Sequence, residues 1–313
     1  MKILIAGELN PDLVLRNYQK FPELGKEVLV EDLDLTLGSS SAICAVGLAK
    51  LGDAVTFAAT VGTDAYGDYC TAALERAGID VSLVQHRSDL KTGITVSITS
   101  SSDRALVTYP GAIGCLSAAD LPNTAFAGFR HFHVSSYFLQ DALRPGLRNL
   151  FAMARKAGLT TSLDPGYDPS EKWSADLIDV LQEVDVFLPN EVEIRGITGL
   201  QDVRAGLANL DNSHTLVVGK LGAEGCMTRY QGEWIRVPAF PIDAVDPTGA
   251  GDSFNAGFLH KWLRGEALRD CLVFASACGA LSTRGLGGTA TQATEAEAAA
   301  CLQAQGGEFV ARA

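Results

Sequence analysis

The chain has 313 residues, of which 47% are hydrophobic and 20% charged, with a formal net charge of −12. That length and balance suit one large α/β domain or two modest ones, and they exclude a disordered chain or a small disulfide-stapled module. The acidic total argues against a nucleic-acid surface, and no run approaches the roughly 18 apolar residues of a membrane span, so neither nucleic acid nor membrane is an expected partner.

The apolar start turns polar at Glu8, Asn10 and Asp12, too soon for a secretory leader. Lys2–Gly7 therefore reads as a buried first strand. In Asp32–Leu37, Leu33, Leu35 and Leu37 alternate with Asp32, Asp34 and Thr36, the pattern of a strand wet on one face. Ser39, Ser40 and Ser41 then precede a helical pattern and read as an N-cap run or as pocket hydroxyls. Val55–Val61 is a second buried strand. Ile94–Thr99 repeats the strict alternation of Asp32–Leu37. Together these two segments predict a small antiparallel sheet projecting from the main body. Its apolar face needs cover from a substrate, a helix or a second subunit.

His131–Ser135, Thr160–Asp164, Val184–Leu188 and Thr215–Gly219 read as further buried strands. Between two of them, Leu143, Leu147, Leu150, Phe151 and Ala154 recur at helical spacing. Strands alternating with helices predict a mostly parallel sheet covered on both faces. His131 and His133 share a strand face but have no third ligand in view, so they read as structural or pocket-lining. The seven cysteines contain no C-x-x-C pair, which fits reduced thiols and a cytoplasmic location. The Ala-, Glu- and Gln-rich stretch Ala290–Ala313 reads as a terminal helix.

The densest chemical signal is Asp246-Pro247-Thr248-Gly249-Ala250-Gly251-Asp252. From Asp252 onward the spacing is helical, with Phe254, Phe258 and Trp262 on one face. A glycine-rich turn feeding a helix start leaves free N–H groups for phosphate oxygens. A carboxylate at Asp252 could accept a proton from a hydroxyl nucleophile during phosphoryl transfer. The same pattern also describes a plain turn with Asp252 as the helix N-cap.

The whole stretch Asp246–Leu259 resembles the second signature of the ribokinase-like (PfkB) carbohydrate kinases. The resemblance runs along nearly the full chain. It takes in Gly7-Glu8-Leu9-Asn10-Pro11-Asp12, an N-x-x-E match at Asn190–Glu193, the turn Leu221-Gly222-Ala223-Glu224-Gly225 and the segment Ala275–Gly288. It implies a three-layer α/β/α fold spanning residues 1–313 as a single kinase domain, with a β lid from about 13–37 and 90–110. It implies Asp252 as general base, with Gly249, Ala250 and Gly251 forming an anion hole. Asn10, Asp12, Gly38 and Ser39 would bind substrate. Asn190, Lys220, Gly222, Thr248, Gly249, Gly251 and Ser276 would contact ATP. Mg²⁺ would be held through water at Glu193, and Asp246 would serve a monovalent cation, K⁺. A homodimer through the lid strands fits the alternating pattern.

Several positions depart from the family pattern. Where its first signature reads G-G-x-G-x-N, this chain has Gly38-Ser39-Ser40-Ser41-Ala42-Ile43, losing the polar group that pairs with sugar hydroxyls. Where it has D-x-N-x-R, this chain has Asp164-Pro165-Gly166-Tyr167-Asp168. An arginine there would pair with an acidic substrate, so Asp168 favours a neutral sugar or polyol over sugar acids and sugar phosphates. Asp164 faces the phosphates and metal shell, or else caps its own turn. Ser276 replaces a frequent asparagine beside the adenine. The expected function is ATP-dependent phosphorylation of a neutral sugar or polyol. The rivals are a nucleoside kinase, with Tyr137 and Phe138 as an aromatic clamp, and a catalytically idle sugar or nucleotide sensor.

Overall fold

In the computed structural model, which describes residues 1–18, 20–99 and 104–312, the apolar start becomes β1 (Lys2–Ala6). Ile3 and Ile5 enter one apolar core, while Leu4 and Ala6 enter the other. A strand buried on both faces has no polar alternation, which is why it reads as a continuous apolar run. β2 (Pro11–Arg16), β3 (Asp32–Leu37), α1 (Ser40–Lys50), β4 (Ala54–Gly62), α2 (Ala65–Arg76) and β5 (Asp80–Arg87) follow. Next come β6 (Ile94–Thr99), β7 (Arg104–Tyr109), β8 (His131–Val134), α3 (Arg144–Lys156), β9 (Thr160–Leu163), α4 (Asp176–Leu181) and β10 (Val186–Phe187). Then come α5 (Glu191–Thr198), α6 (Val203–Asn209), β11 (Leu216–Lys220), β12 (Cys226–Tyr230), β13 (Glu233–Val237), α7 (Ala250–Trp262), α8 (Leu268–Ser282) and α9 (Glu295–Arg312).

Among the described residues, nine strands form one sheet in the order β13-β12-β11-β10-β9-β8-β1-β4-β5. It is parallel from β5 to β11, and β12 and β13 run antiparallel at one edge. One core packs α1, α2, α7 and α8 on one face, and the other packs α3 to α6 on the opposite face. In α3, Leu147, Leu150, Phe151 and Ala154 are the buried stripe that the spacing predicted. Removing each such leucine or phenylalanine from water contributes about 1.5–3 kcal/mol. α1 buries every residue from Ser41 to Leu48 because it lies between the sheet and α7.

The chain departs from the sequence reading at the sheet edges. Val184–Leu188 contributes only the short Val186–Phe187 strand, and β5, β12 and β13 had no predicted counterpart. These last strands are half-wet and carry mixed polar residues, so neither a continuous apolar run nor a clean alternation marks them.

The two alternating segments do lie in a second, four-stranded sheet, ordered β3-β2-β6-β7. It is mixed, not antiparallel throughout, because β2 and β6 pair in parallel. The cause is the parent sheet: β1 and β5 are parallel, so the chain leaves both in the same direction. The predicted range 13–37 and 90–110 includes Gln19 and residues 100–103, which lie outside the described residues. Across this sheet Asp12, Thr36, Thr95 and Thr108 share one face. Leu13, Leu35, Val96 and Val107 share the other. The polar face turns toward the main body. The apolar face turns outward, leaving Leu33 53%, Leu35 37% and Val107 61% exposed.

Candidate active site

α7 begins at Ala250, with Gly249 as its N-cap. Gly249 has φ 73°, and a Cβ there would lie 2.7 Å from the Gly288 backbone, so only glycine fits. Asp252 is therefore the third residue of the helix and not its N-cap, which removes the plain-capping reading of its carboxylate. The helix starts two residues earlier than the spacing indicated because the turn ends at that positive φ.

The start of α7 is a wall shared by two cavities. A cavity of about 600 Å³ is lined by Lys220, Gly222, Phe240, Ala250, Gly251 and Ser276 among others. A smaller one of about 270 Å³ is lined by Glu8, Asn10, Asp12, Thr248, Gly249 and Asp252, and by Thr95, Ser97 and Thr108 of the four-stranded sheet. The first-turn amides of α7 have no i−4 partners, so its positive end is presented at this wall.

On the small-cavity side, a Cβ on Gly38 would lie 2.1 Å from an Asp12 carboxylate oxygen, so glycine here makes room for Asp12. The three serines have three different partners; Ser39 occupies the N-cap position of α1, but its side chain makes no capping hydrogen bond. Ser39 Oγ accepts from Asn10 N at 2.8 Å and donates to Asn10 Oδ1 at 2.9 Å. Ser40 Oγ donates to Asp252 Oδ1. Ser41 Oγ donates to Glu8 Oε2 at 2.7 Å. Ser39 holds φ 68°, a conformation that side chains rarely adopt and that explains the glycine at this place in the resembling signature. Ile43 lines the same cavity.

Glu8 was not singled out from the sequence. It is buried and accepts hydrogen bonds from Ser41 N (3.2 Å), Ser41 Oγ (2.7 Å), Ser136 Oγ (2.9 Å) and Gln140 Nε2 (3.1 Å). Burial raises its pKa, and these donors only partly offset that. The available signal was a carboxylate directly after a fully buried strand. Burial, reinforced by the Asp164 charge, also lifts Asp252 to about 7, against the pull of Ser40 and Lys220.

On the large-cavity side, Lys220 Nζ donates to Asp164 Oδ2 at 2.6 Å and to Asn255 Oδ1 at 3.3 Å. Asn255 Nδ2 donates to the same Asp164 oxygen at 2.6 Å, a partner that the sequence reading missed. Asp164 Oδ1 accepts from Gly166 N at 2.9 Å, so Asp164 both caps its turn and anchors Lys220. Burial would raise the Asp164 pKa, but the Lys220 charge and the hydrogen bonds from Lys220, Asn255 and Gly166 N together outweigh it and hold the group below its usual range.

Asn190 and Glu193 form a capping box at the start of α5: Asn190 N and Nδ2 each donate to a Glu193 oxygen at 2.7 Å. Burial and the Asp164 charge push Glu193 up to about 8. Asp246 Oδ1 accepts from Thr248 N and Oδ2 from Gly287 N, both at 2.9 Å. Ser276 Oγ lies 3.6 Å from Cys226 Sγ at the large-cavity wall. Among the described residues no group of three or more His, Cys, Asp or Glu is placed to hold a metal.

Two expectations change and a third holds. Asp168 accepts from Ser170 N and Oγ and from Trp173 N, so it closes its own loop and does not line the small cavity. It therefore carries no information about substrate charge. Tyr137 and Phe138 are buried in the second core and do not line the small cavity, so they form no clamp. His131 and His133 sit in a buried hydrogen-bonded run with Thr160, Ser162 and Ser135, which fits the structural role.

The model of the pfkB family of carbohydrate kinases matches residues 2–295. A fructokinase of Klebsiella pneumoniae is 32% identical over 270 residues, covering 80% of this chain and 86% of that one. A nucleoside kinase of Methanothermobacter thermautotrophicus is 30% identical over 278 residues, covering 88% of this chain and 87% of that one. Among solved structures, a putative ribokinase II from E. coli in complex with ATP and Mg²⁺ superposes with a TM-score of 0.85 at 21% identity, covering 97% of this chain and 99% of that one.

Proposed function

The chain belongs to the pfkB family of carbohydrate kinases, and on that premise we propose that it transfers the γ-phosphoryl group of ATP to a hydroxyl of a small neutral sugar or polyol, with Asp252 as general base. The observation that carries this reading is the shared wall at the start of α7. Ala250 and Gly251 face one cavity while Thr248, Gly249 and Asp252 face the other. ATP in the larger cavity and an acceptor in the smaller one would meet at amides that stabilise the moving phosphoryl group. A base whose pKa is about 7 suits proton abstraction near neutrality.

The neutral-substrate reading now rests on the small cavity itself. Its described lining includes the carboxylates of Glu8, Asp12 and Asp252 and no lysine, arginine or histidine. Such a wall accepts hydrogen bonds from hydroxyls and repels a phosphate or carboxylate. Asn10, Asp12, Gly38 and Ser39 would orient the acceptor. Lys220, Gly222 and Ser276 would contact ATP, with Asn190 bridged to Lys220 along the strand.

Glu193, paired with Asn190, would hold the Mg²⁺ through water, since that ion usually keeps several of its waters. Mg²⁺, when bound with ATP, would neutralise phosphate charge. K⁺ at Asp246 would organise the turn that Asp246 already ties together. We take residues 1–313 as one kinase domain whose four-stranded sheet is its lid, excluding water during transfer. The outward apolar face of that sheet would seat a second copy of the chain, and the seven free thiols suit a cytoplasmic location. No helix among the described residues is long and apolar enough to cross a membrane.

The test is ADP release with Mg-ATP over neutral sugars, polyols, sugar acids, sugar phosphates and nucleosides, with wild type beside Asp252→Asn. Turnover of a neutral acceptor, lost by several orders of magnitude in the variant, is expected. Turnover that survives the substitution overturns the base assignment. ATP binding without turnover of any acceptor favours a sensor.

A further inference from the structure

We propose that Ser40 is a positioning residue for the base: its hydroxyl holds one oxygen of the Asp252 carboxylate so that the other meets the incoming substrate hydroxyl. This role rests on Asp252 being the base. Ser40 opens α1 and Asp252 lies in the first turn of α7, and the two helices pack together. Both residues line the small cavity. Ser40 Oγ donates to Asp252 Oδ1, and among the described residues Oδ2 takes no hydrogen bond.

The terminal torsion of an aspartate is broad, so an untethered carboxylate turns over a wide range. A donor fixed at a helix start removes that freedom before substrate arrives, which is preorganisation of the reacting geometry. The step balances simply. The substrate O–H proton moves to Asp252 Oδ2 as its oxygen bonds to the γ-phosphorus. The bond from that phosphorus to the bridging oxygen of ADP breaks, and ADP keeps the electron pair. Ser40 keeps its own proton throughout.

The electrostatics around Asp252 give this role a readout. Asp164 after β9, Glu8 after β1 and Glu193 on α5 are carboxyls that favour the protonated form of Asp252 or are themselves raised by its charge. Lys220 at the end of β11 is the cation that opposes them. Cys44 on α1 is a buried thiol pushed well above its usual range. Ser40 joins Lys220 in stabilising the ionised base.

The experiment is a carboxyl ¹³C NMR titration of the ligand-free protein, with the Asp252 signal assigned through Asp252→Asn. Ser40→Ala should raise the Asp252 midpoint by about one unit, a tenfold fall in the ionised ratio. Ser40→Thr, which keeps the hydroxyl, should leave it in place. Ser40→Cys, a weaker donor of similar size, should move it upward and serves if the alanine variant melts early. An unmoved midpoint in Ser40→Ala or Ser40→Cys overturns this role while leaving the base assignment intact. Turnover by Asp252→Asn in the substrate panel overturns both.

Discussion

Replacing Lys220 with methionine keeps an unbranched side chain but deletes the ammonium that contacts Asp164. The Asp164 side chain is 4% exposed and that of Lys220 12%, so the carboxylate is left buried without its cation. Breaking one side of such a pair costs about 3–5 kcal/mol. At an unfolding entropy of about 2.1 cal/mol/K per residue, over 313 residues, that lowers Tm by roughly 5–8 °C. The effect has a pH signature. In the wild type the depressed pKa of Asp164 supplies stability that is present above its unfolded value and lost as pH falls through the folded one. In the variant, burial without Lys220 raises the same pKa, and protonation relieves the buried charge as pH falls. The gap in Tm between the two proteins should be widest near pH ~8 and narrow toward pH ~5, read by circular dichroism melts. A loss below about 1 kcal/mol, or a gap that does not narrow, would mean Lys220 is a solvated cation and the network reading is wrong.

Two further outcomes are expected. Ser39→Ala keeps the unfavourable φ and deletes both hydrogen bonds to Asn10, lowering stability by about 1–3 kcal/mol in urea denaturation. Ser39→Gly relieves about 1 kcal/mol of backbone strain and should unfold closer to wild type. A glycine variant weaker than the alanine one would refute the strain. Sedimentation should show a dimer that Leu35→Lys or Val107→Lys converts to monomer, since both side chains lie on the outward apolar face. A monomeric wild type refutes that interface.

The parts of the fold that were readable in the sequence are those where one residue pattern has one physical solution. The run Ile3–Ala6 has to be buried on both faces, and the leucines of Asp32–Leu37 have to share one. The outward turn of that second face was not readable, because alternation fixes which residues share a side and not which way it points. The glycines of Gly249–Gly251 marked the proposed phosphate site because few other sequences allow that turn. The partners of Asp252 were not readable: Ser40 lies 212 positions away, and serine carries no pattern of its own. The same holds for Glu8, whose partners Ser136 and Gln140 lie 128 and 132 positions along. Asp168 misled because its column in the resembling signature suggested a substrate contact, whereas its amide partners are a few residues away in its own loop.

The burial of α1 has a consequence for synthesis. Its apolar residues from Ala42 to Leu48 find part of their cover in α7, which begins at residue 250, after α1 has ended at residue 50. At about 5–20 residues per second, a ribosome takes roughly 10–40 s to make the intervening stretch. Throughout that interval the nascent chain displays a greasy helix whose side away from β1 and β4 has no cover from α7. Slow translation over the second half of the message would lengthen the exposure and with it the demand on holding chaperones.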